Sequence, residues 1–87
     1  MLKTEINQNP SLSSSFRLEA ERQGRNLKMY ISGIIGIIDY TDEEVILTSH
    51  SGRVNVIGKN IRVTVFESNT VELCGRIVGV NFLYGKN

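Results

Sequence analysis

The chain has little of what disulfide bonding, metal binding or acid–base catalysis requires. Its 87 residues include one cysteine, one histidine, one proline and no tryptophan. A single Cys74 cannot close an intramolecular disulfide, and no Cys/His cluster has the spacing of a zinc site, so a reducing compartment is the default. Charge of one sign is lacking too. Ten basic residues stand against nine acidic ones, a formal net charge of +1, so no global field draws the molecule to nucleic acid or an anionic membrane. No charged-then-apolar leader opens the sequence, and no apolar run approaches the ~18 residues of a membrane helix, from which a soluble chain without a transmembrane segment is expected.

What is present is enough apolar residue to fold, 40% hydrophobic against 22% charged, in a length that holds one core. The first fifteen residues contain Pro10 and the serines 11, 13, 14 and 15, the composition of a flexible lead. Phe16 and Leu18 come next, in a stretch rich in Glu, Arg and Gln. Ser15 is placed to cap a short helix running to about Arg22, with Gly24 as its stop. In that arrangement Phe16 and Leu18 are candidates for docking a partner.

From Lys28 the pattern changes to β-branched residues punctuated by turns, the mark of an antiparallel meander. Strands are predicted at 28–32, 34–40, 44–49, 53–57, 61–66, 70–74 and 76–83. The links are Thr41-Asp42-Glu43, Ser51-Gly52, Gly58-Lys59-Asn60 and Glu67-Ser68-Asn69. Alternation turns Val54, Val56, Ile61, Val63, Val65, Val71 and Leu73 inward, and Arg53, Asn55, Arg62, Thr64 and Glu72 outward. The predicted fold is all-β: an antiparallel meander of about six to seven short strands forming a small barrel or sandwich. A short helical or disordered arm over residues 1–27 precedes the β domain of residues 28–87. A weak echo at a spacing of about 25 residues, with Gly52-Arg53-Val54 repeated as Gly75-Arg76-Ile77, suggests a duplicated three-strand unit.

Two segments are apolar on both faces. In Ile34-Ile35-Gly36-Ile37-Ile38, Gly33 and Gly36 signal a bend or bulge. In residues 76–83, Ile77 and Leu83 occupy one face and Val78, Val80 and Phe82 the other. A β region this small, without disulfide or metal, falls below the ~70 to 80 residues at which one core is comfortably stable. A homo-oligomer is therefore expected, with Val78, Val80 and Phe82 as first interface candidates and Ile35 and Ile37 as second.

The residues that could carry chemistry have plainer readings. His50 lies beside Ser49 and Ser51, but neighbours on a strand point to opposite faces, which is poor geometry for a nucleophile and its base. Asp42, Glu43 and Glu44 lack the spaced oxygens of a calcium loop and read as a solvated turn. Cys74 reads as a half-buried filler. No glycine opens a phosphate-cradling strand–loop–helix unit. Arg53, Lys59, Arg62 and Arg76 form a candidate outer basic face, with Glu67 and Glu72 close by. The residues point to no catalytic, metal or cofactor site, and nucleic acid is not an expected partner.

Residues 29–82 resemble the YabP/YqfC family of sporulation proteins of endospore-forming bacteria. The likeness rests on Tyr30-Ile31-Ser32-Gly33, the Asp39-Tyr40-Thr41-Asp42-Glu43 turn, Gly52-Arg53-Val54-Asn55-Val56-Ile57-Gly58-Lys59-Asn60-Ile61, and Val71-Glu72-Leu73-Cys74-Gly75-Arg76-Ile77. It covers about two-thirds of the chain and contains no catalytic motif. The resemblance implies a small non-enzymatic β-protein in the mother-cell cytoplasm, needed for forming the spore envelope through protein partners. A second likeness, to Sm-like ring-forming RNA-binding proteins, rests on Gly36-Ile37-Ile38-Asp39-Tyr40 followed by Val45-Ile46-Leu47, with a short helix ahead. That pattern is spent near Val65 and leaves residues 70–83 unexplained. Gly58-Lys59-Asn60 is also a poor match for the RNA-contacting motif.

Overall fold

The computed structural model describes residues 17–84. They form one antiparallel sheet of six strands: β1 (Arg17–Gln23), β2 (Asn26–Ser32), β3 (Ile34–Tyr40), β4 (Glu44–Ser49), β5 (Gly52–Glu67) and β6 (Thr70–Tyr84). The order across the sheet is β1-β2-β6-β5-β4-β3. The all-β antiparallel class expected from the sequence is what the chain adopts, and there is no helix among the described residues. The serine-rich lead and Phe16 lie outside them.

The long β5–β6 hairpin is the spine of the fold. Its turn, Ser68-Asn69, has φ of 53° and 62°, the doubly left-handed arrangement that matches the twist of paired strands. The N-terminal part of β6 pairs with β2, and the N-terminal part of β5 pairs with β4. The hairpin bends in the middle, where register shifts fall between Ile57 and Gly58 and between Lys59 and Arg62. Glycine is required at this bend. A Cβ on Gly58 would stand 2.2 Å from the Arg76 carbonyl oxygen, and one on Gly75 would stand 2.8 Å from the Ile61 Cα.

Folded this way, the two ends of the sheet enclose one core. Met29 and Ile31 of β2, Val71 and Leu73 of β6 and Ile61 of β5 meet Ile34 of β3, Val45 and Leu47 of β4, and Val54 and Val56 of β5. Cross-links between the ends fix the closure. The amides of Gly33 and Ile34 donate to the Asn69 carbonyl at 2.9 and 3.0 Å, and those of Gly58 and Ile61 donate to the carbonyls of Glu43 and Asp42 at 3.0 and 2.8 Å.

Several sequence expectations are corrected. The helix over residues 15–22 is instead, from Arg17 on, strand β1, which pairs residue for residue with β2. Gly24, φ +66°, closes this hairpin rather than a helix. Leu18 faces Ile31 and packs against the core, so it is not free to dock a partner. Gly58-Lys59-Asn60 is a bend within β5 rather than a hairpin, and 70–74 and 76–83 are one strand. The echo is not a structural repeat, because Gly52 comes directly after a chain reversal whereas Gly75 lies mid-strand.

β-Bulges account for the side chains that depart from simple alternation. Val63 opposes Leu73 and Val65 opposes Glu72, so Thr64 is an inserted residue and Val65 turns outward, 41% exposed. Ile57 opposes Gly79 and Gly58 opposes Ile77, which makes Val78 an inserted residue and lets both Ile77 and Val80 reach the core. The bulges anticipated near Gly36 occur at Ile35 and Ile38.

Candidate interaction surface

The sheet has four stretches of edge, and the sequence treats them differently. β1 carries Arg17, Glu19, Glu21 and Arg22 in seven residues, and Arg17 and Glu19 pair at 2.7 Å. Charge of this density is how proteins keep an outer strand from pairing with another chain. β3 is interrupted by its two bulges. In the C-terminal part of β5 two amides are satisfied from within the molecule, the Val63 amide donating to the Tyr40 hydroxyl at 2.9 Å and the Ile61 amide to the Asp42 carbonyl.

Residues 76–84 of β6 differ in composition. The β2 ladder ends at Leu27 opposite Gly75, so beyond that point β6 pairs with β5 alone among the described strands. From Ile77 to Tyr84 the segment reads Ile-Val-Gly-Val-Asn-Phe-Leu-Tyr, without a charge or a proline. Val78 is 74% exposed, Leu83 53% and Tyr84 80%. An uncharged apolar strand of this kind is a template for strand pairing.

The expected interface residues divide across this geometry. Val78 and Phe82 are exposed on β6, and Val80 between them is half-buried against the core. Ile35 is an exposed bulge residue on β3, at the opposite side of the sheet, while Ile37 packs against the core. β6 therefore brings three of the five together. Leu83 and Tyr84 belong with them. Simple alternation assigns Leu83 to the other face and ends the strand before Tyr84, so neither stands out in the sequence as a member of this edge.

The basic residues also divide. Lys59 stands opposite Arg76 at the bend, and Arg62 stands opposite Cys74, which in turn opposes Lys28. Directly opposed residues share a face, so Lys28, Lys59, Arg62 and Arg76 gather about the bend. None forms an ion pair among the described residues. Arg53 is apart from them, opposite Leu83. Lys28 is not legible as a member from the sequence, because its neighbours come from β6.

The other candidates lie in turns. His50 is exposed, and the adjacent Ser49 hydroxyl donates to the Gly52 carbonyl at 3.1 Å and accepts from the Ser51 amide at 3.3 Å. The Thr41 hydroxyl accepts from the Glu43 and Glu44 amides at 3.2 and 3.0 Å, fixing the acidic turn. Among the described residues no group of three or more His, Cys, Asp or Glu could hold a metal ion. No helix among them is long and apolar enough to cross a membrane.

Comparison with known families decides the assignment. The family model described as YabP family matches residues 23–87. The chain belongs to the YabP family. The match takes in the end of β1, the four strands after it and all of β6, so the bent hairpin and its uncharged β6 segment lie within the family's own domain. Membership is consistent with a role related to sporulation, and YabP is not known as an enzyme family. No curated protein and no solved structure shows significant similarity to the chain.

Proposed function

We propose that this YabP-family chain is a non-enzymatic protein of spore-envelope formation, acting in the mother-cell cytoplasm through self-association and contacts with other proteins. The observation that carries the reading is the uncharged apolar segment of β6 between Ile77 and Tyr84, with Val78, Leu83 and Tyr84 more than half exposed. An uncharged apolar strand segment of this kind promotes pairing with another chain, and the family assignment supplies the cellular setting.

The Sm-like reading is the weaker one. The helix it uses ahead of the sheet is a strand from Arg17 onward, and residues 70–84, which that pattern does not explain, are half of the central hairpin.

The test is complementation in an endospore-forming host deleted for the gene. The wild-type chain restores heat-resistant spores, whereas Val78→Asp, a change at a 74% exposed side chain that leaves the monomer folded, does not. Full restoration by a folded Val78→Asp chain contradicts the reading.

A further inference from the structure

The bend of the β5–β6 hairpin gathers positive charge that the chain itself does not neutralise. Lys59 stands directly opposite Arg76, and like charges placed so repel each other. On the same face of β6, Cys74 lies between Lys28 of β2 and Arg62 of β5. Strand spacing and rise put the four cations within about 10 Å across the strands and about 7 Å along them. Lys59, Arg62 and Arg76 are exposed and Lys28 is half-buried. The carboxylates nearest in register are otherwise placed. Glu72 accepts from the Thr64 hydroxyl at 2.7 Å, Glu19 pairs with Arg17 at 2.7 Å, and Glu21, opposite Lys28, makes no ion pair among the described residues. Outside residues 17–84 the charged side chains are Lys3, Glu5 and Lys86, which add positive charge rather than cancel it.

We propose that Lys28, Lys59, Arg62 and Arg76 dock a short acidic segment of another protein. Such a segment is one form of the protein contacts proposed above, on which this assignment rests. The guanidinium groups of Arg62 and Arg76 suit two-pronged contact with carboxylates, and Cys74 puts no competing charge at the centre. The extent of the array selects among anions. Tyr30, the aromatic beside it on this face, stands between Glu19 and Glu72, so nucleic acid stacked there would carry its phosphates past carboxylates. A flat anionic membrane covers the same acidic flank. An extended run of about three Asp or Glu residues spans about 7 Å and fits within the array without reaching that flank.

Fluorescence anisotropy of labelled hexaglutamate, titrated with the full chain, is the test. The wild type binds saturably at low salt, and its affinity falls as salt rises. Arg62→Glu and Arg76→Glu each weaken binding about fivefold or more. Arg76→Glu also sets opposite charges face to face with Lys59, which favours the fold, so its urea midpoint does not drop while binding is lost. Arg53→Glu makes the same change of charge at an exposed arginine opposite Leu83, apart from the array, and binds as the wild type does. No saturable binding by the wild type, or an equal loss in Arg53→Glu, overturns the assignment and leaves the spore-envelope reading, with its complementation test, standing. Tighter binding of an oligothymidylate of equal charge, or of phosphatidylglycerol vesicles, through the same arginines overturns the choice of a protein partner.

Discussion

The Tyr40 hydroxyl accepts a hydrogen bond from the Val63 amide at 2.9 Å, joining the end of β3 to the C-terminal part of β5 across the closure of the sheet. These two residues belong to strands that are not neighbours in the sheet. Tyr40→Phe keeps the ring and removes the acceptor, in a setting where water can partly replace it. The expected cost is about 0.5–1.5 kcal/mol, read as a lower urea midpoint with an unchanged slope.

The bend of the hairpin is far less tolerant. Gly58→Ala drives a methyl to 2.2 Å from the Arg76 carbonyl oxygen, and Gly75→Ala brings one to 2.8 Å from both Ile61 Cα and the Asn60 oxygen. All of these are backbone atoms and cannot move aside cheaply. Each variant is expected to lose more than about 2 kcal/mol and to melt well below the wild type by circular dichroism. Gly79→Ala, with nothing within 4 Å, is the control and should change monomer stability by no more than about 0.5 kcal/mol.

Truncation in the core reports on the shared interior. Leu47 of β4 and Leu73 of β6 are both fully buried and come from strands on either side of β5. Leu47→Ala and Leu73→Ala should each cost about 2–5 kcal/mol. Because one core serves both ends, each should lower a single cooperative transition rather than split it.

The edge residues should separate assembly from folding. Asn81 is exposed and faces away from the core, so Asn81→Lys leaves the monomer's circular dichroism intact. It places a charge in the otherwise uncharged segment from Ile77 to Tyr84, which opposes pairing of that segment with another chain. The variant should stay monomeric at concentrations where the wild type self-associates.

Local pattern makes part of this fold legible and hides the rest. β3 and β4 can be bounded to the residue, because Gly33, Thr41-Asp42-Glu43 and His50-Ser51 interrupt otherwise β-branched runs. β1 is hidden because a glycine after a polar stretch marks a helix end and a hairpin turn equally well. The bulges at Thr64 and Val78 are hidden for a different reason. One inserted residue leaves composition unchanged but reverses the facing of the residues after it, as at Val65. The apolar edge itself is visible in residues 77–84. That it is an edge depends on β2 ending at Leu27 opposite Gly75, a non-local fact of strand order.

Self-association through β6 is most directly tested by light scattering coupled to size-exclusion chromatography, on the full chain across micromolar concentrations, for wild type and Asn81→Lys side by side. The account predicts a mass above that of one chain for the wild type and a folded monomer for Asn81→Lys. A wild-type chain that runs as a monomer throughout, or an Asn81→Lys chain that associates as the wild type does, would contradict it.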